Sequence, residues 1–96
     1  MKLFVDDARP VPAGWVLART VQEAIRFLRE GPVEEVSLDY MIGDSCQDTF
    51  AEVAWFITGL PPEKRPRVAY IHTGSFQGSK ELRKILEGYV EKIVRV

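Results

Sequence analysis

Asp6-Asp7, Asp39 and His72 are the residues of this chain whose types and surroundings suit chemistry. Each follows directly on a short segment that reads as a strand: Leu3-Phe4-Val5 before the acid pair, Val36-Ser37-Leu38 before Asp39, Val68-Ala69-Tyr70-Ile71 before His72. Two carboxylates ~5 Å apart repel by about 3 kcal/mol at an effective dielectric of about 20. Three acids brought together therefore need a cation, a proton or an arginine. Mg²⁺ or a similar divalent cation suits them, being held by one or two carboxylates, waters and substrate phosphate. Its candidate ligands are Asp6, Asp7 and Asp39, and Arg9 is the internal alternative. His72, the only histidine, can act as acid or base near neutrality. Thr73 and Ser75 offer hydroxyls, and with Gly74 backbone N–H groups, to a phosphate at a helix start, where Lys80 and Arg83 add positive charge.

Each of these residues has a plainer reading. Acids after strands cap helices or make Asx turns, although prolines rather than a helix follow Asp7. A strand-end histidine is commonly bonded to backbone, and Thr-Gly-Ser alone is commonly a turn. Cys46 has no basic neighbour to depress its pKa and reads as incidental. Trp15, Trp55, Phe56 and Tyr70 read as core or interface aromatics.

The elements that must position these residues follow from apolar spacing. Leu3-Phe4-Val5 is a continuous run that predicts a strand buried on both faces. Arg9 to Gly14 holds two prolines and a glycine and cannot be helical. A second strand is expected over 15–19. Thr20-Val21-Gln22-Glu23 is a capping box, followed by Val21, Ala24, Ile25 and Leu28 at helical spacing and stopped by Gly31-Pro32. Val36 to Asp39 predicts a third strand, residues 40–47 a loop, and the stripe Phe50, Val53, Ala54, Ile57, Leu60 a helix from about Asp48. A fourth strand covers 68–72, a helix runs from about Gly78 to Glu87, and Val90 to Val96 is a fifth strand. Strands alternating with helices predict βαβ units and an α/β fold of five mostly parallel strands, in a two- or three-layer sandwich with about three helices. In the flavodoxin-like order 2-1-3-4-5 the first and third strands are neighbours. Their acids then converge at the carboxyl edge, where ligands of such sheets bind.

Length and charge narrow the function classes. A chain of 96 residues, 46% hydrophobic, predicts one domain over 1–96 with a core of its own. A net charge of −1 excludes a module bound to DNA by bulk charge, and a single cysteine excludes a disulfide framework or a Cys-rich zinc module. With neither a signal-peptide pattern nor an apolar run of membrane length, the expected location is cytoplasmic, away from any membrane.

The blocks Asp6-Asp7-Ala8-Arg9-Pro10, Gly14-Trp15, Ser37-Leu38-Asp39 and His72-Thr73-Gly74-Ser75 occur in the order and spacing of a known pattern. An acid pair after the first strand, an acid after the third and a hydroxyl residue after the fourth resemble the receiver domains of response regulators. The chain is similar, over most of its length, to a compact receiver-like family, the cyclic-phosphate processing receiver domain. The resemblance implies a receiver-like sheet lacking the first and last receiver helices. It also implies a metal-binding acidic site and a role in binding or processing cyclic phosphates, such as RNA 2′,3′-cyclic ends or cyclic nucleotides. Asp39, His72 and Thr73 would carry the chemistry, and Arg9, Ser75 and Lys80 would meet the phosphate. The sequence departs from the pattern where Tyr40-Met41 replaces a family His-Asp and Ser75 replaces an Asn. If the missing pair is catalytic, binding without turnover is expected.

Two other readings stand beside this one. In the first, Asp39 accepts a phosphoryl group as in a signalling receiver, although Lys92 lies inside the last strand rather than at its end. In the second, the fold is a non-catalytic binding or inhibitory module. The helix-poor sheet face, with Leu3, Val5, Trp15 and alternate residues of the last strand, would then be an exposed apolar patch that takes a second copy or a partner protein.

Overall fold

The structure is a computed structural model that describes residues 1–43 and 45–96, the side chains of 45–47 lying outside the description. Residue 44 of the expected loop and the Cys46 side chain, read as incidental, therefore lie outside the described residues. Five strands, β1 (Lys2–Val5), β2 (Val16–Ala18), β3 (Glu35–Leu38), β6 (Val68–Ile71) and β7 (Lys92–Arg95), form one all-parallel sheet in the order β2-β1-β3-β6-β7. Counted among themselves, these are the expected 2-1-3-4-5. Among the described residues three α-helices, α1 (Val21–Glu30), α2 (Ala51–Gly59) and α3 (Phe76–Leu86), follow β2, the short strand β5 (Ser45–Thr49) and β6 in the chain. Helix α1 rests on β1 and β2, α3 rests on β6 and β7, and α2 packs against both of the other helices.

Strand parity decides which residues meet the helices. Alternate side chains of a strand point to opposite faces. Leu3 and Val5 of β1, Val36 and Leu38 of β3, and Ala69 and Ile71 of β6 all join one buried cluster with Leu28, Val53, Ile57, Leu82 and Leu86. The helices thus lie on a single face, and the molecule has two layers. Leu3 and Val5, expected on the uncovered face, are instead fully buried on the helix side. The uncovered face carries Phe4, Ser37 and Tyr70, which the register aligns across β1, β3 and β6. Trp15 folds back onto it, its ring meeting Phe4 edge-on at 6.4 Å and Tyr70 at 5.8 Å. The turn after β1 therefore covers more of this face than its length suggested, and Phe4 is 7% exposed.

Helix boundaries follow their caps. The Thr20 hydroxyl accepts the Glu23 N–H at 3.1 Å and opens α1, and the Gly31 N–H, bonded to Phe27 O at 2.7 Å, closes it at a positive φ of 31°. Ser75 caps α3 by accepting the Gly78 N–H at 3.0 Å, so that helix begins at Phe76 rather than Gly78. The region expected as a loop over 40–47 is instead part of an antiparallel hairpin, β4 (Met41–Ile42) with β5 (Ser45–Thr49). The Phe50 N–H closes its base on Tyr40 O at 2.7 Å. Pairing of 45–49 delays α2 to Ala51.

Candidate metal and phosphate site

Register alone brings the site together. Val5, Leu38 and Ile71 are partners across the adjacent strands β1, β3 and β6. The next residues are Asp6, Asp39 and His72, and the ladder continues through them: Asp39 N–H donates to Val5 O and His72 N–H to Leu38 O, each at 3.0 Å. All three share the parity of the helix-free face. Their ligand atoms lie within 4.8 Å of one another, so the three can hold a metal ion.

The imidazole is fixed on every side. The His72 ring stacks on Phe4 at 4.5 Å and 5°. Its Nε2 lies 2.9 Å from Asp6 Oδ2 and its Nδ1 2.7 Å from Ser37 Oγ. Asp6 is buried, and its Oδ1 accepts the N–H groups of Ala8 and Arg9 at 2.9 Å each. Burial pushes the Asp6 carboxyl up, but those two N–H groups and His72 outweigh it and hold it below its ordinary value. Burial, reinforced by the charge of Asp6, holds Asp39 above its ordinary value against the Tyr40 N–H, His72 and the Thr73 hydroxyl. Burial also lowers His72 despite both acids, so the ring is neutral at pH 7. An ionised Asp6 only accepts, which assigns the ring proton to Nε2 and leaves Nδ1 to accept from Ser37.

The other expected residues are distributed around this centre. Asp7 turns away from it, its Oδ2 accepting the Gly43 N–H at 2.7 Å in the hairpin turn. Arg9 donates from Nη1 to His72 O at 2.6 Å, and its Nε is 3.8 Å from Asp6 Oδ2. Thr73 is buried, accepts the Ser75 N–H at 3.1 Å and bonds Asp39. Ser75 caps α3. Lys80 lies on the exposed side of α3, its ammonium 5.7 Å from the centre of the Phe76 ring. It lines a groove of about 470 Å³ with Tyr40, Gln77, Glu81 and Lys84.

Ser37, named only within the block Ser37-Leu38-Asp39, was given no role by sequence reasoning, although its position two residues before Asp39 put it on the same face. Tyr40, which replaces a family histidine, lies against Gly78 and bonds Glu81 through its hydroxyl. No match is found among curated proteins or among solved structures. Residues 1–88 match the family described as the cyclic-phosphate processing receiver domain, and the chain, with its receiver order of strands, belongs to that family.

Proposed function

We propose that this domain binds a divalent cation through Asp6, Asp39 and His72 and opens cyclic phosphates, of the kind found at RNA 2′,3′-cyclic ends or in cyclic nucleotides. The observation that carries the reading is the in-register line of two carboxylates and an imidazole on three adjacent strand ends, in a chain of this family. Two carboxylate oxygens suit Mg²⁺ or Mn²⁺, and the imidazole nitrogen tilts the set towards Mn²⁺ or another transition ion. Ligation by Nε2 requires the other tautomer, and the Ser37 hydroxyl supports it by accepting from Nδ1. The bound cation would supply charge stabilisation to the phosphoryl oxygens. Asp39, which offers one carboxylate oxygen to the cation, would take the proton of the attacking water on the other. Water adds to phosphorus, one ester P–O bond breaks, and the leaving oxygen takes up a proton, giving a monoester. Arg9 braces His72 through its backbone carbonyl, while Thr73 orients Asp39.

Incubation with Mn²⁺ or Mg²⁺ and a 2′,3′-cyclic nucleotide tests this. The ring is expected to open, Asp39→Asn is expected to slow opening by at least about 100-fold, the lower range for losing a general base, and His72→Ala is expected to weaken opening together with Mn²⁺ affinity. No opening with either metal rejects catalysis and leaves a binding module. The Thr73 hydroxyl on Asp39 favours one second reading, a phosphoacceptor receiver. Acetyl phosphate with Mg²⁺ then adds a phosphoryl mass to Asp39.

A second copy docked on the helix-free face is proposed as the partner. Leu17, Tyr70 and Val94, aligned with Phe4 and Ser37 across that face, are half-buried and support it. Light scattering that gives a 10.9 kDa monomer at high concentration rejects it.

A further inference from the structure

A second arginine, from the far side of β1, closes the turn that carries Asp6. Arg19 directly follows β2, the edge neighbour of β1. Its Nη1 donates to Arg9 O at 2.8 Å and lies 3.3 Å from Asp6 O. Those two carbonyls bracket the turn whose N–H groups, at Ala8 and Arg9, hold Asp6 Oδ1. Arg9 in turn donates to His72 O.

Had a helix followed β1, amides four residues on would take up such carbonyls. Here no helix follows, and the residue four on from Asp6 is Pro10, which has no N–H to give. A half-buried guanidinium supplies the donors instead, and its charge strengthens the bonds. Arg19 makes no hydrogen bond or ion pair with the Asp6 or Asp39 carboxylates or the His72 ring, so whatever it does for the site passes through the turn.

We infer that Arg19 is a positioning residue for the site, a clasp that fixes the turn aiming the Asp6 carboxylate at His72 and Asp39. The inference rests on the reading of that site as a metal-dependent centre.

Arg19→Gln and Arg19→Lys in the full chain test it with three readouts. In Arg19→Gln, amide hydrogen exchange at Ala8 and Arg9 is expected to speed up ~10-fold or more, while the Asp39 amide, inside the sheet ladder, keeps its rate. Mn²⁺ affinity, measured by calorimetry, is expected to fall about 10- to 100-fold, the range for losing an outer partner of a metal ligand. Arg19→Lys retains a donor and is expected to recover part of both. Unchanged exchange at Ala8 and Arg9 overturns the proposal. Faster exchange with unchanged Mn²⁺ affinity overturns it equally, because the turn would then position nothing. If the wild type takes up no Mn²⁺, the metal reading fails by itself. Arg19 is then judged on the exchange rates and the nitrogen-15 shifts of the His72 ring, which move when Asp6 moves and stay put when it does not.

Discussion

His72 sits between an ionised carboxylate and a hydroxyl, and its burial decides its charge. A folded pKa below the unfolded value means that the unfolded chain binds the proton first as pH falls. His72 therefore contributes stability that is complete above its ordinary value of 6.5 and is lost as pH falls through the folded value. Asp6, also lowered, adds a loss of the same sign below its ordinary value of 3.8. Asp39 is raised and works oppositely, favouring the fold as it takes up its proton. Denaturant melts in chelator are expected to show stability declining from pH 7 towards pH 5, and His72→Gln is expected to flatten that decline. An equal decline in the variant would place its origin elsewhere. At this scale the sequence was informative about the residue types that end strands and uninformative about direction. Asp6 and Asp7 are indistinguishable as letters, yet parity sends the first to His72 and the second to Gly43.

Among the elements, α1 and α3 were readable because caps and apolar stripes agree. The Thr20→Ala change is expected to cost about 1 kcal/mol in a denaturant melt, the usual worth of such a cap. The hairpin β4–β5 was not readable. Two short segments flank its turn, and neither has the alternation that marks a strand. Its link to α3 is a close approach: a Cβ on Gly78 would lie 2.3 Å from Tyr40 Cγ. Gly78→Ala is accordingly expected to destabilise by about 1–3 kcal/mol, the typical cost of overpacking. Combining it with Tyr40→Ala is expected to cost less than the sum of the two. Strict additivity would show that the ring and the helix are not coupled.

For the whole molecule, the order of strands followed from the alternation of elements, because right-handed crossovers leave few arrangements. The sheet's uncovered face did not follow. Which odd or even positions face the helices depends on a one-residue choice of phase, and the short run Leu3-Phe4-Val5 is apolar at both parities. Trp15 then does for Phe4 and Tyr70 what a helix does on the opposite face. Trp15→Ala is expected to lower stability by roughly 2 kcal/mol, below the range for a fully buried Trp because the ring is half-exposed. It should also loosen the His72 ring through Phe4, seen as faster line broadening of its ring protons. An unchanged melt would mean that the ring is not a cover.

The alignment of Val5, Leu38 and Ile71 sets a rule for how such a site can change over time. Point substitutions swap one ligand for another and leave the geometry standing. A single inserted or deleted residue within β3, by contrast, turns Asp39 to the helix side and brings Leu38 or Tyr40 round in its place. The placement of the three side chains thus depends less on which residues they are than on the length of the strands that carry them. The strands are locked in count, and the turn after β1, whose N–H groups hold Asp6, is bound with them.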